Sequence, residues 1–533
     1  MRGGALKDTV GDGEVYDLAV VGGGINGAGI ARDAAGRGLS VCLLEQDDLA
    51  SHTSSASTKL IHGGLRYLEQ REFRLVRESL AERERLLAIA PHIIRPLRFV
   101  LPYVEGLRPR WLLRLGLFVY DHAGKRSSSA ALRGPNSRSG RRESLAASRS
   151  VNFDSEGFEQ LGAPLKPAMR NGFEYSDCWV DDSRLVVLNA LDAAERGARV
   201  LTRTRLLRAQ AVSGLWQLDC EDRSSGRRVA LRARALANAG GAWVNDLLGR
   251  LGVTPRQELR LVKGSHIILP RLYEGEHAYL LQSPDRRVIF AIPYESRFTL
   301  IGTTDLPFDG DPAQVAITAA EVGYLCENLN RFFAKPIAPG DVLGSYAGVR
   351  ALHDDGSRGD AQTASRDYTL DVQRVEGGPP LLSVYGGKIT TYRRLAEAAL
   401  ALLLPLLDRA GAADWTQQEA LPGGDFAAGD LGRFALQARQ RWHGLPATLV
   451  DRLASCYGTR MAQILNDAQR LADLGEDFGA GLTGAEVDYL VRHEWARSAE
   501  DVLWRRTKLG LVLPAEGKRE LARYLDLRLR QSS

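Results

Sequence analysis

Residues 16 to 45, YDLAVVGGGINGAGIARDAAGRGLSVCLLE, decide the fold. YDLAVV is a β-branched-rich run of strand length, the glycine-rich stretch behind it is small and helix-forming, and LSVCLLE reads as a second buried strand. Gly22-x-Gly24-x-x-Gly27 lies between the first strand and the helix, and Glu45 ends the second strand, 21 residues after Gly24. In such a βαβ unit the first glycine permits the tight turn, the second lets a pyrophosphate approach the backbone, and the third lets helix and strand pack closely. Asn26 sits in the same turn, and Glu45 can accept hydrogen bonds from a ribose. A dinucleotide follows from this context; the unit alone does not choose between FAD and NAD.

The chain has 533 residues, enough for two to four domains, and 44% of them are hydrophobic. With 70 Lys and Arg against 65 Asp and Glu, the net charge is +5, too small to suggest a nucleic-acid partner. Five scattered cysteines form no C-x-x-C pair, and the nine histidines form no H-E-x-x-H pattern, so neither a disulfide framework nor a metal site is expected. MRGGALKDTVGDGEVYD lacks an apolar signal core, and the longest apolar run, Ala398 to Leu407, is broken by Pro405. A cytoplasmic chain that meets a membrane on one face at most is the expectation.

Residues 70 to 90 place Phe73, Val76, Leu80 and Leu87 on one stripe, which predicts a surface helix ended by Pro91. Residues 127 to 150 hold eight Ser and five Arg in 24 positions, which predicts a flexible loop. Beyond about residue 405 the spacing turns helical, with stripes at Val487, Leu490, Val491 and Trp495 and at Leu521, Tyr524 and Leu525. A separate helical domain is expected there.

A second glycine-rich element, ARALANAGGAWVNDL (233 to 247), is a strand running into a turn. It resembles the second dinucleotide contact of glutathione-reductase-type flavoproteins and so points to FAD, with Ala239, Gly240 and Trp243 beside it. Longer motifs carry a closer resemblance: TSSASTKLIHGGLRYLEQREFRLVRESLAERE (53 to 84), FEYSDCWVDDSRLV (173 to 186), LVKGSHIILP (261 to 270), IGTTD (301 to 305), YAGVR (346 to 350), SVYGGKITTYRRLAE (383 to 397) and YLVRHEWARSAEDVLWRRTKLGL (489 to 511). In this order they are similar to the FAD-dependent glycerol-3-phosphate dehydrogenases. The chain departs at Ala351, where proline is expected, and in its longer Ser/Arg loop.

The resemblance implies an α/β fold: a Rossmann-like FAD-binding domain of the glutathione-reductase type, about residues 15–68, 180–260 and 340–405. Interleaved with it is an α+β substrate domain, about 69–179 and 261–339, followed by an all-α C-terminal domain at 406–533. Ser54, Ser57, Lys59, Leu60, His62 and Gly63 are expected along a non-covalent FAD, as are Gly387, Lys388 and Thr390 at the opening of a helix whose dipole favours an anionic reduced flavin. Arg66, Arg350 and Lys388 are implied around a small phosphorylated substrate, glycerol 3-phosphate, with Tyr67 beside them, because guanidinium forks match phosphate oxygens. His266 is the expected base; Arg350, stabilising a developing alkoxide, is the alternative.

The family passes its electrons to a membrane quinone, which implies peripheral attachment to the inner face of the cytoplasmic membrane. RPRWLLRLGLFVYDHAGKR (108 to 126) has an apolar centre and basic ends, as an interfacial segment would, or it is a cap helix packed on the substrate domain. A homodimer is left open. Rival functions are a glycerol-3-phosphate oxidase, an FAD-dependent amine oxidase and an FAD-stabilised membrane scaffold.

Overall fold

The computed structural model describes residues 14–65, 72–104, 109–131, 145–285, 287–354, 367–375, 378–409, 413–426 and 430–532. Strand Val15–Val21, helix Ile25–Gly36 and strand Val41–Leu44 form the βαβ unit. Their sheet runs in the order 368–374, 380–386, 228–238, 15–21, 41–44 and 199–201, parallel apart from the first strand. Helix Ile25–Gly36 buries ten of its twelve residues because helices Asp182–Glu195 and Tyr392–Leu403 flank it on the same face. An alanine-rich sequence suits this crowded place, since bulkier side chains would hold the helices apart. The opposite face is closed by the antiparallel meander 204–222, through Leu206, Trp216 and Leu218, and by helix Val244–Arg250.

A second sheet runs in the order 306–307, 258–270, 298–302, 288–294, 278–282, 94–102, 171–180 and 60–61, with 344–354 and 149–152 paired along its sides. Its strands interleave along the chain with those of the first sheet. Strands Leu60–Ile61 and Gly344–Asp354 join this second sheet, although they lie in segments expected in the FAD-binding layer. Each needs a partner for its backbone groups: Leu60 and Ile61 find Trp179 and Cys178, and the strand 344–354 runs along 258–268. Ala351 is therefore a strand residue opposite Leu261, not part of a loop.

Helix Phe73–Ile89 buries Val76, Leu80 and Leu87 as its stripe predicts, while Phe73, at its first turn, is exposed. The expected loop at 127–150 is in part structured: helix Arg110–Ala131 extends into it, and Arg149–Asn152 pairs with 171–174. Residues 132–144 lie outside the described residues. The C-terminal unit packs five α-helices from Leu431 to Ser532 around their own apolar core, and it also holds a short hairpin, Asp477–Gly479 with Leu482–Thr483. Trp495, read as part of that helical stripe, packs into the core of the first sheet instead.

Three buried histidines are held neutral. Burial pushes His92 down to about 3 and His277 to about 4, and His266 also falls well below the usual value. Neither ring nitrogen of His92 has a hydrogen-bond partner among the described residues. Between pH 6.5 and the depressed folded-state value the unfolded chain binds the extra proton, so this contribution to stability is lost as pH falls through that window. His92→Gln is expected to flatten the fall in melting temperature between pH 6.5 and 4; an unchanged slope would remove His92 from the acid response.

Candidate functional site

One cavity lies between the two sheets, where the glycine turn of the first meets strands 60–61 and 344–354 of the second. The turn is built by close backbone approach. Gly22 sits at φ +114°, and a Cβ there would stand 2.4 Å from the Ala239 carbonyl oxygen. At Gly27 a Cβ would stand 1.9 Å from the Gly22 carbonyl oxygen, so any side chain would push the helix away from the turn. Gly24, the N-cap of helix Ile25–Gly36, leaves the helix without a side-chain cap, and the first turn carries no acidic residue. Amides and a positive dipole end therefore face the cavity, as an anion requires. Asn26 donates to the Gly386 carbonyl at 3.2 Å, while its own buried Oδ1 has no partner among the described residues. The packed glycines and the helix N-terminus fit a bound dinucleotide diphosphate, and the orphaned Asn26 acceptor calls for a hydroxyl or N–H donor of the same ligand.

Glu45 lines one end of the cavity. Its carboxylate accepts from the amides of Gly23 at 2.7 Å and Asp47 at 2.8 Å. Each oxygen keeps a second lone pair, so a ribose hydroxyl can still be accepted. Burial raises its pKa, although those amides pull the other way. His52 and Trp243 stand ring to ring, 4.6 Å apart, on the same wall, with Ala239 and Gly240 beside them. Thr204, Arg205 and Leu206 complete this end. Nothing in the spacing of that meander marks it as a ligand wall, and sequence reasoning missed it.

The segment Ser54–His62 forms the middle of the cavity, and most of its polar atoms are spent on holding it in place. Ser54 Oγ accepts the Ile25 amide at 3.0 Å, and Ser57 Oγ donates to Asp182 at 2.7 Å. Lys59 was expected along the cofactor; its ammonium instead turns inward, 2.9 Å from both oxygens of Asp182, and the residue takes a left-handed conformation at φ 58°. That backbone costs on the order of 1 kcal/mol, and the buried ion pair holds it. Tyr346 donates to the Ser57 carbonyl at 2.8 Å from the other side. Gly63 lies behind the wall, its amide donating to the Tyr120 hydroxyl at 2.8 Å; Tyr120 donates in turn to Asp177, which pairs with Arg83 at 2.8 Å.

At the other end the lining residues include His62, Phe290, Thr303, Arg350, Gly387, Lys388 and Thr390. Arg350 is oriented by Asp305 at 3.1 Å and by Thr303 Oγ1 at 3.2 Å. Arg350 and Lys388 are thus two half-buried cations in the cavity lining, a setting for a phosphorylated ligand. Arg66 and Tyr67 lie outside the described residues. His266, expected to meet a reacting hydroxyl directly, is fully buried one layer back. Its Nε2 lies 3.0 Å from Thr58 Oγ1, and Thr58 lines the cavity; the ring stacks on Tyr346 at 4.8 Å. Burial first, then the charges of Arg350 and Lys59, hold the imidazole neutral.

Comparison with known proteins agrees with this geometry. The family model described as FAD dependent oxidoreductase matches residues 17–393, and that of the C-terminal domain of alpha-glycerophosphate oxidase matches residues 415–530. A glycerol-3-phosphate dehydrogenase of Pseudomonas aeruginosa is 54% identical over 514 residues, covering 96% of this chain and 95% of that one. A D-erythritol 1-phosphate dehydrogenase of Brucella abortus is 47% identical, covering 96% and 98%. The solved glycerol-3-phosphate dehydrogenase of Bacillus halodurans, complexed with FAD, matches with a TM-score of 0.72 at 26% identity over 97% of this chain and 95% of that one.

Proposed function

The chain belongs to the FAD-dependent glycerol-3-phosphate dehydrogenases, and from that membership we propose that it oxidises sn-glycerol 3-phosphate to dihydroxyacetone phosphate and passes the electrons to a membrane quinone. The observation that carries the substrate is that two cations, Arg350 and Lys388, line the same cavity as the dinucleotide turn. FAD is the cofactor, and when bound it supplies the hydride acceptor. Glu45, the glycine turn and the amides of helix Ile25–Gly36 hold its adenosine diphosphate half.

Arg350 and Lys388 bind the substrate phosphate and set the carbinol carbon in place. Asp305 and Thr303 fix the guanidinium before the substrate arrives, so little side-chain freedom is lost on binding. Thr58 receives the hydroxyl proton, with neutral His266 behind it as acceptor through Nε2, and Arg350 favours the developing alkoxide. Phe290 and the strand 344–354 exclude water from this end.

A second substrate reading rests on the D-erythritol 1-phosphate relative, nearly as similar along its whole length. It keeps the reaction and the phosphate contacts and lengthens only the polyol. A higher kcat/KM for D-erythritol 1-phosphate than for glycerol 3-phosphate would select it.

We place the membrane contact on helix Arg110–Ala131. Its inner face buries Leu113, Leu117 and Tyr120, while Trp111 (68% exposed), Leu115 (50%) and Phe118 (51%) stand out at helical spacing. Such an apolar stripe on a packed helix suits the headgroup layer. No helix among the described residues is long and apolar enough to cross a membrane. Replacing Trp111 and Phe118 by Ser is expected to release the protein from sedimenting anionic vesicles with FAD content unchanged; equal sedimentation would move the contact elsewhere.

In an assay that follows dihydroxyacetone phosphate and a soluble quinone analogue together, one quinone should be reduced for each dihydroxyacetone phosphate formed, with little peroxide. Peroxide as the main product would make the enzyme an oxidase. Arg350→Lys is expected to raise KM about tenfold or more, the cost of losing a bidentate fork. His266→Gln should retain FAD and turn over about a hundredfold more slowly. Because the imidazole is already neutral at pH 6.5, wild-type kcat/KM should show no histidine-like inflection there; normal turnover in the Gln variant would remove His266 from the proton path.

A further inference from the structure

The stretch Glu494–Lys508 of the C-terminal unit sends Asp501, Arg505, Arg506 and Lys508 away from that unit's own core and toward the elements behind the cofactor cavity. Arg505 Nε and Arg506 Nη1 reach Asp48 Oδ2 at 2.7 and 2.8 Å, and Arg506 Nη2 reaches Oδ1 at 2.8 Å. Asp48 is buried in the loop after Glu45, where its backbone and Ser51 Oγ bond each other and the Ala50 amide donates to the Gly23 carbonyl. Glu45, Gln46, Ala50, Ser51 and His52 of this loop line the cavity. Asp501 accepts from Arg203 at 2.6 Å, and the Arg203 amide donates to the Asp47 carbonyl, which ties the loop from its far side.

Lys508 does the same at the middle of the cavity. Its Nζ donates to Ser183 Oγ and to the Trp504 carbonyl, and lies 3.3 Å from Asp181 and 3.7 Å from Asp182. Asp182 is the carboxylate that holds Ser57 and Lys59. Two lysines, one from each end of the chain, therefore balance two adjacent buried carboxylates directly behind the cavity wall. Arg184, two residues on, pairs with Glu494 and fixes the start of the same stretch.

We propose that Arg505, Arg506 and Lys508 form a clamp through which the C-terminal unit retains bound FAD, Arg505 and Arg506 closing the adenosine loop through Asp48 and Lys508 closing the Ser54–Lys59 segment through Asp182. All three are positioning residues: none of them lines the cavity. Without Lys508, Asp181 and Asp182 share one cation, and the wall relaxes toward solvent to hydrate them. Without Arg506, Asp48 loses two of its three guanidinium contacts. The clamp rests on the reading of the cavity as the FAD site; wild-type protein isolated without flavin would overturn that reading and the clamp with it.

The test is the rate at which purified holoprotein loses 450 nm absorbance to flavin-free buffer under repeated filtration. Lys508→Met and Arg506→Met are expected to release FAD at least tenfold faster than wild type. Arg452→Met is the control, because it breaks the buried pair with Glu486 inside the C-terminal unit without touching the clamp; it should be destabilised yet hold FAD as wild type does. Should the charge variants not fold, Ser183→Ala removes the hydroxyl that Lys508 grips and should still speed release severalfold. Wild-type release rates in the folded clamp variants, or in Ser183→Ala where that variant alone folds, would overturn the proposal. Equally fast loss from Arg452→Met would do so too, by reducing the effect to general destabilisation.

Discussion

The carboxylate of Asp182 is the point on which the cavity depends. It stands fully buried at the start of helix Asp182–Glu195 and receives Ser57 Oγ, both approaches of the Lys59 ammonium and the Ser183 amide. An isolated carboxylate could not stay charged there; the paired lysine and the amide make the burial tolerable. The return on that arrangement is positional. The segment Ser54–His62 crosses from the first sheet to the second, and a left-handed residue in its middle would relax without something to hold it. Lys59 is thus structural, and the polar groups facing the cavity are its neighbours.

The same division of labour runs through the site. Residues that touch the cavity are held by residues that do not: Arg350 by Asp305, Thr58 by His266, Ser57 by Asp182. A hydride transfer depends on placement to a fraction of an ångström, so stiffness in the second row of side chains matters as much as the identity of the first. Helix Arg110–Ala131 belongs to this pattern, because Tyr120 on its inner face holds the amide of Gly63 behind the cavity wall while Trp111 and Phe118 on its outer face are exposed.

Sequence reading found what is local. Gly22, Gly24, Gly27 and Glu45 announce themselves because turn, helix start and strand end fall within thirty residues, and the family motifs brought Arg350, Lys388 and His266 to notice. Long-range partners carry no such mark. Ser57 and Asp182 are 125 residues apart, and Asp48 and Arg505 are 457 apart, so their pairing is visible only once the chain has folded. His266 shows the opposite limit: its motif drew it to the substrate, but alternation along strand Glu258–Pro270 turns its side chain into the packed layer behind Thr58. Strands Leu60–Ile61 and Gly344–Asp354 lie in segments that the resemblance assigns to the FAD-binding domain yet pair in the second sheet, and sequence pattern says nothing of a strand's neighbour.

The most direct measurement is anaerobic: purified yellow protein mixed with sn-glycerol 3-phosphate, its flavin absorbance followed at 450 nm in the absence of any acceptor. The account predicts complete bleaching by stoichiometric substrate, saturating with concentration as expected of a phosphate-binding site, and no bleaching by glycerol. Flavin that stays oxidised with glycerol 3-phosphate, or that bleaches equally with unphosphorylated glycerol, would contradict it.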